Sequence, residues 1–146
     1  MVTAPDTKYV RPLALVFAVA VMLSVSVGLR AANQAAEGDA ALLRGAVDIH
    51  VHSYPDTRKR SVDAIEAAEI ARARGMRAIV LKNHEDPTGG LAYIVRKRVP
   101  GIEVFGGVDL NFPVGGVNPA AVEHMAQLVG GYGRVVWMPT FDSENQ

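Results

Sequence analysis

The sequence predicts an α/β fold built from parallel βα repeats, and three observations indicate it. Short apolar runs rich in strand-forming residues recur along the chain, amphipathic stretches separate them, and successive runs begin about 26 to 32 residues apart. That spacing is the length of one strand, one helix and two short loops. Because a helical crossover returns the chain to the same end of a sheet, the strands should be parallel.

Four strands are predicted, at residues 46–51, 76–81, 102–108 and 134–138. The nearly continuous apolar runs AIVL and VVWM, in the second and fourth of them, are typical of strands covered on both faces. An eight-stranded (β/α) barrel needs about 250 residues. Residues 41–146 would therefore form about half of one, a partial TIM barrel.

The sequence also predicts where the helices begin and end. The first helix should begin at Ser61 as N-cap, bury Ile65, Ala68 and Ile70, and end at Gly75. The second is predicted over 90–98, before the turn signal Pro100-Gly101.

The third helix has Asn118 as its predicted N-cap and Pro119 at its first position, where a missing N–H costs nothing. Its inward face is predicted to consist of Val122, Met125, Ala126 and Val129.

Composition excludes several classes of protein. The chain is 49% hydrophobic and 21% charged, which excludes wholesale disorder. Lys plus Arg and Asp plus Glu are 15 each, so the net charge gives no reason to expect a nucleic-acid partner. There is no cysteine, hence no disulfide, thiol nucleophile or thiolate zinc site. A metal would need His, Asp, Glu or a modified Lys as ligands.

The N-terminal segment is separate from this pattern. Residues 12–29 carry no charge, follow Lys8 and Arg11, and precede Arg30. This run is just long enough to span a bilayer as an apolar helix, and it also fits an export signal. Residues 1–40 are therefore predicted to be a signal peptide or membrane anchor plus linker, with the domain at 41–146 exported or membrane-anchored outside the cytoplasm.

The first strand ends in a His-x-His motif. Alternation along a strand places His50 and His52 on one face, where both imidazoles can meet one cation, and puts Asp48 on that face one step deeper. We expect a metal or catalytic role for both histidines. Asp48 could orient one of them through a hydrogen bond. The alternative is that the histidines merely fill the mouth of the barrel.

The second strand ends in Lys82 and His84, which should lie beside the His-x-His motif because α/β sites form at the carboxyl ends of strands. His84 is a candidate third metal ligand or general base. Lys82 could neutralise an anionic substrate or donate to an oxyanion. The structural alternatives are a histidine that caps a helix and a surface lysine.

Polar residues follow the third and fourth strands as well. Asn111, Thr140 and Asp142 are candidates for substrate positioning, although polar residues of βα loops also bind loop backbone or cap helices. The Gly-Gly pairs lack the context of a nucleotide site and indicate tight turns and close strand approach. We expect residues 58–60, Arg-Lys-Arg, to be a solvated approach to the first helix, and His124 to be a surface residue.

Four segments in order, GAVDIHVHSYPD, GMRAIVLKNHEDPT, VFGGVDLNFPVGGVNPAAVE and VVWMPTFD, resemble the N-terminal half of an uncharacterised bacterial family of amidohydrolase-like, metal-dependent hydrolases with a TIM-barrel fold. The resemblance covers residues 43–142. It implies that His50 and His52 are metal ligands. The wider superfamily places its bridging lysine on the fourth strand, whereas Lys82 is on the second, and its later ligands have no counterpart here.

The resemblance implies a hydrolase that acts on a small amide, ester or lactone through a water activated by a divalent metal, Zn²⁺ with Mn²⁺ as the alternative. In that mechanism Lys82 or His84 stabilises charge or moves a proton, and Asn111 or Thr140 orients the substrate. Two other hypotheses stay open: a non-catalytic half-barrel remnant, and a phosphoesterase similar to the histidinol-phosphatase-like barrels. A half-barrel has open edges, so the chain is predicted to be a fragment or to form homo-oligomers.

Overall fold

The computed structural model describes residues 16–17, 21–28, 30, 38 and 41–145. The chain divides into two compact units, Met1–Asp39 and Ala40–Gln146. The described residues of the first unit are helical. The predicted apolar segment at 12–29 lies partly outside the described residues, and no helix among those described is long and apolar enough to cross a membrane. Export or anchoring through this segment stays a prediction.

The second unit contains one parallel sheet of four strands in sequential order. The strands are β1 (Val47–His52), β2 (Ala78–Lys82), β3 (Glu103–Asp109) and β4 (Gly133–Trp137). Each predicted strand exists, shifted by one or two residues. The predicted α/β class and its parallel sheet are confirmed.

Three helices connect the strands. They are α1 (Ala64–Ala73), α2 (Gly89–Arg98) and α3 (Pro119–Gln127), and a 3₁₀ turn at Phe112–Val114 precedes α3. The predicted N-cap of α3 is confirmed, because the Asn118 side chain accepts a hydrogen bond from the Ala120 N–H at 3.1 Å.

The predicted N-cap of α1 at Ser61 is wrong, since the cap is Asp63. Its carboxylate accepts a hydrogen bond from the Glu66 N–H at 2.8 Å, and the Glu66 carboxylate accepts one from the Asp63 N–H at 2.9 Å. This reciprocal capping box satisfies two backbone donors, whereas a serine at 61 could satisfy only one. The helix ends as expected before Gly75, whose φ is +72°.

The three helices pack on one face of the sheet. The larger core joins alanines of α1 and α2 to strand residues whose side chains point to that face, Ile79, Leu81 and Val104. A smaller core joins Val108 and Leu110 to Met125 of α3. Alternation sends Lys82 and Asp109 to the opposite face, which the helices leave free for a site.

Some predicted core positions are exposed. Ile70 of α1 is 51% exposed and Val129, after α3, is 99% exposed. The buried face of α1 is instead lined by small alanines, which let the helix approach the sheet closely. Ala126 is exposed too, so Met125 carries most of the contact of α3.

The prediction that both apolar strand runs are covered on both faces holds for β2 only. All five residues of β2 are buried, and Ile79 and Leu81 of this strand pack against the helices. Val136 and Met138 in the other run are 42% and 64% exposed.

Gly106 and Gly107 of β3 show the close approach expected from a Gly-Gly pair. A Cβ at Gly106 would collide with the backbone of Thr88, and one at Gly107 would collide with the Trp137 ring and the Val135 carbonyl oxygen. The absence of a side chain at Gly107 lets the Trp137 indole lie across β3.

We therefore predict that Gly107→Ala lowers the free energy of unfolding by about 1–3 kcal/mol through overpacking. Gly90→Ala is the matched control, because a Cβ there meets Leu128 Cδ2 at an ordinary 3.7 Å. Urea denaturation measures both variants. A Gly107→Ala protein as stable as Gly90→Ala would contradict the close packing of Trp137 on β3.

Candidate active site

The carboxyl ends of the four strands bring the predicted residues to one edge of the sheet, called here the carboxyl edge. His50 and His52 end β1, Lys82 ends β2, and the others follow β2, β3 and β4 in the loops. Their roles in catalysis and binding stay predictions, but their proximity is a property of the fold.

A β-bulge between Asp48 and Val51 shapes the His-x-His motif. The carboxylate of Asp48 accepts a hydrogen bond from the backbone N–H of His50 at 2.9 Å. The predicted place of Asp48 on the histidine face is wrong, because Asp48 pairs in register with Ile79 and lines an apolar cavity of about 280 Å³ beside α1. Asp48 therefore binds the backbone of the bulge and no imidazole.

The bulge turns the two imidazoles toward each other. Their Nε2 atoms are 3.1 Å apart and their ring centroids 5.0 Å apart. Burial, together with the positive charge of Arg60, lowers the pKa of His52 to about 4. His52 is consequently neutral at pH 7 and has a lone pair available.

Asp109, at the end of β3, is the centre of a buried hydrogen-bond network. Its Oδ2 atom lies 3.2 Å from Lys82 Nζ, 3.0 Å from His84 Nδ1 and 3.1 Å from Thr140 Oγ1. Its Oδ1 atom is buried and has no hydrogen-bond partner among the described residues. A single carboxylate therefore links the ends of β2, β3 and β4.

The donors of this network fix the tautomer of His84. Lys82 can only donate, and the Thr140 hydroxyl proton goes to Asp109. The Thr140 oxygen, 2.9 Å from His84 Nδ1, is then an acceptor like Asp109. Both acceptors require a proton on Nδ1, which leaves the Nε2 lone pair of His84 free.

His84 is also close to two other rings. Its centroid is 4.6 Å from that of His52 and 4.1 Å from that of Phe141. Burial lowers the pKa of His84, the hydrogen bond with Asp109 opposes this change, and the charge of Lys82 reinforces it. The net effect keeps the His84 imidazole neutral at pH 7.

Asn111 binds the loops that surround the site. Its amide nitrogen donates to the His84 carbonyl oxygen at 2.9 Å, and its Oδ1 accepts from the N–H groups of Thr140 and Phe141 at 2.9 and 3.1 Å. The residue is 1% exposed. These contacts make Asn111 a positioning residue that holds the loops after β2 and β4 together.

Sequence reasoning missed Asp109 and Arg60. The only signal for Asp109 was an acidic residue at the end of an apolar strand, two positions before Asn111. Arg60 belongs to a basic run expected to be solvated, yet its Nε lies 2.7 Å from Asp56 Oδ2 and its Nη2 is buried. Burial alone would raise the pKa of Asp56, but hydrogen bonds from the Arg58 backbone and the Arg60 side chain lower it overall.

No three His, Asp, Glu or Cys side chains are arranged as a metal site in the part of the chain that the structure describes. The described geometry pairs His50 with His52 and directs Nδ1 of His84 to Asp109. His84 as a third ligand stays a prediction.

The buried ion pair gives a test of this network. Lys82→Met should lower the free energy of unfolding by about 3–5 kcal/mol, because it leaves the Asp109 carboxylate buried without its cation. Adding Asp109→Asn should recover much of the loss. The exposed Lys59 provides a matched control, since Lys59→Met should change stability by less than about 0.5 kcal/mol. Urea denaturation of the four proteins would contradict the buried pair if Lys82→Met behaved like Lys59→Met.

Comparison with known proteins identifies a family for this chain. Searches of curated proteins and of solved structures return no similar protein. A family model matches residues 45–146, which include the four strands β1–β4 and the three helices α1–α3. The chain therefore belongs to the Family of unknown function (DUF6282).

Proposed function

We propose that this protein is a metal-dependent hydrolase of the amidohydrolase type, acting on an amide, ester or lactone bond of a small molecule. The fold supports the proposal, since parallel strands in sequential order with helices on one face are the repeating unit of a (β/α) barrel. The resemblance of the four strand-end segments to amidohydrolase-like proteins supports it too. On this proposal the sheet is part of such a barrel.

One observation carries the proposal, the convergence of His50 and His52. Two nitrogens bound to one tetrahedral Zn²⁺ at about 2.0–2.1 Å lie roughly 3.3 Å apart. The observed 3.1 Å between the two Nε2 atoms fits that separation. His52 is neutral at pH 7, as a ligand must be. The two histidines therefore fit a divalent metal, most naturally Zn²⁺, with Mn²⁺ as the alternative.

A metal held there would supply Lewis acidity, lowering the pKa of a water and polarising the carbonyl under attack. The chain's own residues supply the rest. His84 Nε2 is unprotonated and can accept a proton from the nucleophilic water, because Asp109 and Thr140 hold the proton on Nδ1. Asp109 also stabilises the imidazolium that forms.

Lys82 lies beside the Asp109 carboxylate, which also binds His84. Its Nζ lies 5.1 Å from the Trp137 ring centroid and 3.2 Å from Asp109. An ammonium fixed between a carboxylate and an aromatic ring can stabilise negative charge that develops on a substrate oxygen. Phosphate monoesters would suit the same donors, so a phosphoesterase is the second enzymatic hypothesis.

The competing interpretation is a non-catalytic remnant. It is favoured by the lack of a third ligand beside His50 and His52 among the described residues, because hydrolytic zinc sites usually have three protein ligands. The two interpretations differ in metal affinity and in turnover.

We predict that the full-length chain binds Zn²⁺ and that His50→Ala and His52→Ala each weaken binding. Loss of residues that only orient ligands already costs about 10–100-fold in metal affinity, so loss of a ligand should cost at least as much. Zinc content after dialysis and calorimetric titration measure the effect. His124→Ala is the matched control, because His124 is an exposed histidine on α3.

Turnover is then measured with the zinc-loaded protein on amide, ester, lactone and phosphate monoester substrates. Hydrolysis of the first three classes that disappears in the double His50→Ala, His52→Ala variant supports the proposed activity. Hydrolysis of the phosphate ester alone supports the phosphoesterase. Unchanged zinc binding by the double variant would overturn the metal assignment, and bound zinc without turnover would favour the remnant.

A further inference from the structure

Residues 58–60, between β1 and α1, form a basic run whose side chains have different surroundings. Lys59 is exposed, and its side chain forms no hydrogen bond or ion pair with another described residue. Arg58 and Arg60 each contact groups at the carboxyl edge. The run is therefore more than a solvated approach to the helix.

Arg60 is the more buried of the two arginines. Asp56 holds its Nε at 2.7 Å, which orients the guanidinium, and only 18% of its side chain is exposed. Its Nη2 atom is buried and has no hydrogen-bond partner among the described residues. Asp56 lies four residues after His52, the last residue of β1, so this ion pair sits in the loop at the carboxyl edge.

Arg58 also lies at the carboxyl edge, where its guanidinium packs against an aromatic ring. Its guanidinium carbon lies 4.2 Å from the centroid of the Phe141 ring, and that ring contacts His84. Arg58 and His84 line a cavity of about 340 Å³ at the carboxyl edge. Arg58 forms no ion pair with any residue that the structure describes.

Two carboxylates line this cavity as well, but both have hydrogen-bond partners. Glu85 accepts from the Thr57 hydroxyl, and Asp142 accepts from the Phe112 N–H at 2.6 Å. Neither forms an ion pair with Arg58 among the described contacts. The guanidinium of Arg58 therefore has no anionic partner beside His84, and the buried Nη2 of Arg60 has no hydrogen-bond partner among the described residues.

We propose that Arg58 and Arg60 bind an anionic oxygen group of the substrate, a carboxylate or a phosphate, and so hold the scissile bond near His50, His52 and His84. This inference rests on the proposed hydrolase function, since it names the substrate class of that site. Guanidinium groups suit this task because they present planar pairs of N–H donors that match the geometry of both anions. The substrate is thus a small acid or phosphorylated molecule.

The test is a calorimetric titration of the full-length, metal-free protein with inorganic phosphate and, separately, with acetate. Bound metal is first removed with a chelator, so that the anions cannot bind to the metal. The anion that binds with the higher affinity identifies the chemical group that the site recognises. Arg58→Gln and Arg60→Gln should each weaken its binding by about tenfold or more, the value of a charge-assisted hydrogen bond.

Lys59→Gln is the matched control, since it removes the same charge from the neighbouring exposed position. Equal weakening by Lys59→Gln and the arginine variants would overturn the proposal. Anion binding that none of the three variants changes would overturn it too, and so would a wild-type protein that binds neither anion. Arg60→Gln also loses the pair with Asp56, so its thermal unfolding is measured in parallel. Arg58 has no such pair, and Arg58→Gln keeps the test decisive if Arg60→Gln unfolds.

The zinc titration separates this proposal from the proposed function. Arginine-dependent anion binding by a protein that fails to bind zinc would support the anion site and overturn the hydrolase. Zinc binding and turnover without arginine-dependent anion binding would support the hydrolase and overturn the anion site.

Discussion

The carboxyl edge depends on how Asp109 is satisfied. A buried carboxylate is costly unless donors surround it, and those donors come from the ends of β2 and β4. Lys82, His84 and Thr140 can meet at one oxygen only if the strands are parallel, in order and in their observed register. The position of the site is therefore set by the need to satisfy one buried charge.

The two faces of the sheet have different tasks. Alanines of α1 and α2 pack on Ile79, Leu81 and Val104, which fixes the strands from the helix side. The other face holds charged and aromatic groups. Gly107 makes this possible, because the Trp137 indole can lie across β3 and face the ammonium of Lys82. The apolar core and the candidate site thus lie on opposite faces of the same strands.

Most of the fold could be predicted from the sequence, because its signals are local. Strand and helix order follow from the periodicity, and Asn118 with Pro119 marks the start of α3. The burial of long side chains could not be predicted in the same way. Whether Val129 or Met138 is covered depends on which strand or helix lies opposite, and no local pattern records that.

The site was predictable in part for the same reason. His50 and His52 are neighbours in sequence, so alternation along a strand pairs them, although the bulge places Asp48 elsewhere. Asp109 is 25 residues from His84, and Thr140 is 56 residues from His84. Contacts over such separations follow from strand register, which the sequence does not show.

The most direct test of this account is the protonation state of His84. Long-range ¹H–¹⁵N correlation spectra of the metal-free, full-length protein at pH 7 distinguish the two neutral tautomers from the imidazolium. The account predicts a neutral His84 ring that carries its proton on Nδ1, and a change in this pattern in Asp109→Asn. An imidazolium, or a proton on Nε2, would contradict the network around Asp109.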